Sequence, residues 1–323
     1  ISNASCAAST ANATITVTGA PTTATNSSTQ TICSTATATL SGNAPTVGTG
    51  AWSVVSGPST LASQFSSLTN PTAVFTPAGG VGSYVVRWTI SNASCAASTA
   101  NATITVTGAP TTAMNSSTQT ICSTSTATLS GNAPTVGTAA WSVVSGPSTL
   151  ASQFSSLTSP TAVFTPAGGA GSYVVRWTIS NSPCTASTAN ATITVTGAPT
   201  TATNSSTQTI CSTATATLSG NAPTVGTGAW SVVSGPSTLA SQFSSLTNPT
   251  AVFTPAGGVG SYVVRWTISN ASCAASTANA TITVTGAPTT ATNSSTQTIC
   301  STATATLSGN APTVGTGAWS VVS

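Results

Sequence analysis

Cysteine is the one residue type in this chain whose chemistry and spacing are both regular. Cys6, Cys95, Cys184 and Cys273 stand 89 apart, and Cys33, Cys122, Cys211 and Cys300 repeat at the same interval. The other reactive groups are the guanidinium groups of Arg87, Arg176 and Arg265, three tyrosines, and many Ser and Thr hydroxyls. Asp, Glu, His and Lys are absent. Those four types carry most general acid–base chemistry, so that class is excluded. A serine nucleophile has no base to activate it. Zinc calls for clustered Cys and His, whereas these cysteines lie alternately 27 and 62 apart with no His between them. Calcium sites need carboxylates. Gly79-Gly80-Val81-Gly82 lacks a following Lys and reads as a turn rather than a phosphate loop. The expectation is a chain that is not an enzyme, with no catalytic, cofactor-binding or metal-binding residue and no cofactor.

Composition narrows the class further. Charged residues are 1% of 323, against a usual fraction of about 25%. A net charge of +3 over that length makes no basic patch, so nucleic acid is not an expected partner. No apolar run reaches the ~18 residues that span a bilayer, so no membrane span is expected in this segment. Ser, Thr, Ala and Gly dominate, yet Val, Ile, Leu, Trp and Phe are frequent enough to build small cores, unlike the composition of a disordered chain. Regularly placed cysteines in such a chain favour disulfides and an oxidising, extracellular setting.

The cysteine interval is the period of the whole sequence. Residues 20–108, 109–197 and 198–286 are three near-identical units, flanked by 1–19, the end of such a unit, and 287–323, its beginning. Ile1 and Ser323 both fall inside a unit, as in a window on a longer array. Units of 89 residues are too long for solenoid repeats and suit small domains that each close a core.

Within a unit, the stretch that organises the rest is 83–92, Ser-Tyr-Val-Val-Arg-Trp-Thr-Ile-Ser-Asn. Tyr84, Val86, Trp88 and Ile90 alternate with Val85, Arg87 and Thr89, the period of a half-buried strand. Further strands are expected at Thr29–Cys33, Thr35–Ser41, Ala51–Ser56, Thr72–Thr76 and Ala102–Thr107, with a looser stretch around Leu61, Phe65 and Leu68. Gly/Pro turns separate them and no 3.6-residue period appears. Seven or so short strands in about 90 residues predict an all-β, two-sheet sandwich. Its core is expected around Trp52, Tyr84 and Trp88, and around their equivalents Trp141, Tyr173 and Trp177, and Trp230, Tyr262 and Trp266. Tyr84, just after Gly82, is placed for a tyrosine corner. Arg87 points away from Trp88 and is expected to lie over the outer face of its sheet. The alternating threonines of 103–107 read as an ordinary outward face.

The disulfide candidates are Cys33, Cys95, Cys122, Cys184, Cys211 and Cys273. Cys33–Cys95 within a unit is the simple pairing. In a sandwich, however, these two fall at opposite ends of strands ~20 Å long, while a disulfide joins Cα atoms about 6 Å apart. The competing pairing staples successive units, Cys33 to Cys184 and Cys122 to Cys273. Sequence leaves both open.

The phrases Thr31-Ile32-Cys33, Trp52-Ser53-Val54-Val55-Ser56-Gly57, Pro71-Thr72-Ala73-Val74-Phe75, Arg87-Trp88-Thr89-Ile90-Ser91-Asn92 and Cys95 resemble the PKD-like, immunoglobulin-like modules repeated in giant surface and secreted proteins of Bacteroidota. The likeness covers every unit. It departs from the family where Ser28-Thr29 and Ala100-Asn101 stand in place of the usual acidic residues. The resemblance implies tandem immunoglobulin-like β-sandwich modules forming an extended rod, an adhesin stalk or fibre at the cell surface, often exported by the type IX system, with no catalytic residue. The other reading is a spacer or carbohydrate-binding array of a secreted polysaccharide-active enzyme; the inward phase of the aromatics counts against it. The expected partner is the chain itself, end to end and in lateral bundles. Glycans are a second candidate, through Asn-x-Ser/Thr sequons at Asn92, Asn101, Asn115 and their equivalents; Pro183 removes the one at Asn181.

Overall fold

The computed structural model describes residues 1–322; Ser323, the last residue of the closing fragment, lies outside the described residues. The first unit contains β1 (Gln30–Cys33), β2 (Ala38–Thr39), β3 (Thr49–Ser56), β4 (Val74–Phe75), β5 (Gly82–Ser91) and β6 (Ser98–Thr107). One sheet has the order β1-β6-β5-β3 and the other is the pair β2-β4. The strands β3, β5 and β6 are antiparallel, whereas β1 runs parallel to β6 and sets Cys33 opposite Thr107. Isolated bridges, Asn26 to Gly42 and Phe65 to Phe75, extend the smaller sheet.

The same arrangement recurs twice. The second unit has β7 (Gln119–Cys122), β8 (Ala127–Thr128), β9 (Thr138–Ser145), β10 (Val163–Phe164), β11 (Gly171–Ser180) and β12 (Ser187–Thr196). The third has β13 (Gln208–Cys211), β14 (Ala216–Thr217), β15 (Thr227–Ser234), β16 (Val252–Phe253), β17 (Gly260–Ser269) and β18 (Ser276–Thr285).

The strands differ in length from the sequence expectation, each for a local reason. The second strand shrinks to Ala38–Thr39 because Ala36 donates to the carbonyl of Cys33 and closes a turn where Thr35 was expected to be extended. The strand expected at Thr72–Thr76 reduces to Val74–Phe75, since Ala73 turns back to donate to Asn70. By contrast, β6 starts at Ser98, four residues before Ala102, because the long β5 offers it a partner as far as Ile90. The loose stretch contains a single 3-10 turn, Ala62–Gln64.

The core lies between the two sheets. Trp52 and Trp88 sit directly opposite each other on β3 and β5, with ring centroids 4.7 Å apart and tilted by 42°. Phe65 stacks on Trp52, and Phe75 fills the space between Phe65 and Tyr84. Buried aromatics must also satisfy their polar edges. Trp88 donates its indole N–H to the carbonyl of Asn43 at 3.0 Å, and Trp52 donates to Asn70 at 2.8 Å. Tyr84 donates its hydroxyl to the carbonyl of Gly80 and accepts from the N–H of Gly79, a tyrosine corner built around one turn. Gly57, at φ 153°, lies against this ring, where an added Cβ would come within 2.7 Å of Cδ1. Trp141, Tyr173, Trp177, Trp230, Tyr262 and Trp266 are buried in the same way in the other two cores.

The flanking fragments show what a unit needs in order to close. Residues 9–18 have the same sequence as β6 but form no strand, and Ile15 and Val17 are 86% and 89% exposed where Ile104 and Val106 are buried. Trp319, the counterpart of Trp52, is 55% exposed. Strand propensity alone does not fold these pieces; a neighbouring strand and an opposing sheet do.

Tyr84→Phe removes the acceptor of the Gly79 N–H and the donor to Gly80. It is expected to destabilise the first unit by about 1–3 kcal/mol, with the other two transitions unmoved in chemical denaturation. An unchanged first transition would show that the corner contributes nothing.

Candidate functional site: the joints between modules

The residues with chemistry meet where one unit hands over to the next. On the first unit's side, β1 ends at Cys33 beside the end of β6: the Ser34 N–H donates to the Thr107 carbonyl at 2.8 Å, and the Thr107 hydroxyl donates to Ile32. On the second unit's side, the hairpin between β11 and β12 turns at Asn181, whose carbonyl accepts from the N–H of Cys184 at 2.8 Å. That turn aims Asn181 and Cys184 at the joint. Asn181 Nδ2 donates to the carbonyl of Gly108 at 2.7 Å, and Cys184 is bonded to Cys33.

Two disulfides form in this manner, Cys33–Cys184 and Cys122–Cys273, each with Cα atoms 4.8 Å apart and a sequence separation of 151. The second joint repeats the first, with Asn270 Nδ2 donating to Gly197 at 2.7 Å. It adds hydrogen bonds between the Thr196 and Ser272 hydroxyls and from the Ala198 N–H to Ser123 Oγ.

The pairing within a unit is excluded by the length of β6. Cys33 sits opposite Thr107 at one end of that strand and Cys95 precedes Ser98 at the other. Ten residues at ~3.3 Å each keep them about 30 Å apart. Of the six disulfide candidates, Cys33, Cys122, Cys184 and Cys273 are paired, while Cys95 and Cys211 form no disulfide within the described residues, and neither do Cys6 and Cys300. Cys95 still occupies the joint position, with its thiol 3.5 Å from the carbonyl of Gly19 in the opening fragment. Cys211 has its thiol pKa lowered, chiefly by hydrogen bonds from the backbone and side chain of Thr213, with burial opposing and Ser212 assisting.

Arg87 lies on the outer face of its sheet, where its Nε donates to Asn101 Oδ1 at 2.9 Å; Arg176 and Arg265 repeat this with Asn190 and Asn279. Among the described residues no cluster of His, Cys, Asp or Glu is placed to hold a metal ion. No helix among them is long and apolar enough to cross a membrane.

No family model matches the chain, and no curated protein matches it. Solved structures do. The N-terminal eight Ig domains of Down Syndrome Cell Adhesion Molecule align at TM-score 0.51 and 12% identity, over 83% of this chain and 37% of that one. The fold is that of tandem immunoglobulin-like modules. A three-Ig fragment from the I-band of titin (TM-score 0.47, 12% identity, 83% of this chain and 99% of that one) and the Sidekick-1 immunoglobulin domains 1–5 (0.37, 15%, 84% and 60%) are also matched. At these identities the likeness concerns architecture alone.

The spacing of 151 was legible as a possibility, being the 62-residue interval plus one period. Asn181 and its equivalents were visible only as a sequon position; their role in the joint depends on the hairpin turning toward Gly108, which no local pattern announces.

A digest under non-reducing conditions is expected to yield a peptide pair linking Cys33 to Cys184 and none linking Cys33 to Cys95. The reverse would overturn the staple.

Proposed function

We propose that this chain is a load-bearing length of a non-enzymatic extracellular rod or fibre, a tandem array divided at 20–108, 109–197 and 198–286, with partial units at 1–19 and 287–323. The observation that carries this reading is the path of covalent bonds through the second module.

Tension on an ordinary tandem array enters a module at its first strand and leaves at its last, so the core lies in the line of force. Here two shorter routes exist. From Cys33 the disulfide leads to Cys184, and β12 then runs straight to Thr196 and the next joint. From Thr107 the main chain passes through Gly108 to β7 and Cys122, and the second disulfide leads on to Cys273. Residues 123–183, which supply most of the core, lie on neither of these two routes, although they too link the same two disulfides. The second module can therefore carry load through two extended segments without exposing its core.

Such an arrangement supports a stiff, inextensible stalk, and an exported one, since disulfides persist in oxidising surroundings. A PKD-like surface stalk of a Bacteroidota type, exported by the type IX system and self-associating in bundles, is the specific form we favour. The buried aromatics speak against the other reading, a carbohydrate-binding or spacer array of a polysaccharide-active enzyme, because among the described residues the three complete modules leave no Trp, Tyr or Phe on an outer face for sugar rings to stack on.

Single-molecule stretching between residues 20 and 286 tests the proposal. In the oxidised protein the extension between the two bridges is expected to be capped by the shortest chain segment joining them, 122–184. After reduction the whole of 20–286 becomes extensible, which adds roughly 600 Å of contour at ~3.4 Å per residue. Equal contour lengths before and after reduction would remove the mechanical argument.

A further inference from the structure

The sequence contains three repeating sets of Asn-x-Ser/Thr, and the structure separates them by what each amide nitrogen is doing. Asn26 Nδ2 donates to the carbonyls of Val86 and Ala100, at 3.2 and 3.4 Å, and so uses both of its hydrogens to tie the first segment of the module across the sheet. Asn115 and Asn204 do the same. Asn92 and Asn270 hold the joints through the carbonyls of Gly19 and Gly197. That role does not need a sequon: Asn181 keeps the 2.7 Å bond to Gly108 although Pro183 stands where the hydroxyl residue would be.

The third set is different. Asn101, Asn190 and Asn279 are exposed on β6, β12 and β18. Their Oδ1 atoms accept from Arg87, Arg176 and Arg265, and their Nδ2 atoms enter no hydrogen bond among the described residues. The arginine fixes the amide with its nitrogen end facing away from its partner. Thr103, Thr192 and Thr281 supply the third residue of each sequon, two places along the same strand and on the same outward face. The segment before β1 reaches this edge of β6 at Ala100, through Asn26, and at Thr103, through Thr29, and makes no hydrogen bond to the side chain of Asn101.

We propose that Asn101, Asn190 and Asn279 are N-glycan attachment sites, one on each module. The donor is an oligosaccharide activated as a lipid-linked diphosphate. Nδ2 forms the bond to the anomeric carbon as the bond from that carbon to the diphosphate oxygen breaks; the diphosphate leaves with the electron pair, and the proton lost from Nδ2 balances the charge on the departing diphosphate. The product keeps its carbonyl oxygen, so the hydrogen bond from arginine survives modification. With a single cation per module and no anion, the surface has almost no charge to support solubility, and a regular series of glycans adds hydration in its place.

The inference rests on the chain being exported, and the test separates the two. Protein recovered from the cells that make it is digested without reduction and mapped by mass spectrometry. Glycopeptides are expected at Asn101, Asn190 and Asn279, with Asn26, Asn115 and Asn204 unmodified. Thr103→Val, made in the same cells, is expected to remove the glycan mass from the first module alone while leaving Asn101 and Arg87 in place. Cys33–Cys184 linked peptides accompanied by bare strand asparagines would overturn the attachment sites and leave export standing. Glycan on Asn26, Asn115 or Asn204 would equally overturn the assignment. Loss of both the linked peptides and the glycans would refute the inference together with the extracellular reading.

Discussion

A tryptophan in the middle of a strand has to be walled in on every side, and no single stretch of this sequence can do it. Trp88 is covered by Trp52 from β3, by the turn that brings Asn43 to its indole nitrogen, and by strands that come later in the chain. The cover arrives from pieces tens of residues apart, so no single stretch closes the core by itself. In the partial units at 1–19 and 287–323 the equivalent apolar residues are exposed, although 287–323 keeps the module's Asn293–Gly309 bridge and several of its hydrogen bonds. Everything at the joints inherits this condition: the hairpin that presents Cys184 is rigid only because β11 and β12 are pinned around Trp177.

The near-absence of charge forces polar satisfaction onto amides and hydroxyls. Gln64 is 2% exposed, yet both ends of its side chain are used, Nε2 on the carbonyls of Ser59 and Leu61 and Oε1 on the N–H of Ala78. No buried side-chain nitrogen or oxygen among the described residues lacks a partner. Burying an unpaired polar group is costly, and a chain without carboxylates meets that demand with Asn, Gln, Ser and Thr, which need no counter-ion and are insensitive to pH and salt.

Much of this was visible beforehand. Alternation in 83–92 and the positions of Trp52, Tyr84 and Trp88 placed the inner face of the larger sheet, because a period of two in large apolar residues has one physical meaning. The weaker Ser/Thr/Ala segments misled at their ends, since β6 begins where β5 offers a partner rather than where Ile and Val begin. The parallel pairing of β1 with β6 had no local signature, and it is this pairing that carries Cys33 to the far end of the module. Two cysteines per unit left a bridge within the unit and a staple between units both open, and the structure makes the staple, with each cysteine at a different joint.

The separation of 151 residues between bonded cysteines has a further outcome for durability. Suppose a protease cuts anywhere between Cys122 and Cys184. The N-terminal piece retains Cys33 and Cys122, the C-terminal piece retains Cys184 and Cys273, and both bridges still hold the two together. A fibre built this way behaves like a spliced cable: severing one strand locally leaves the line intact.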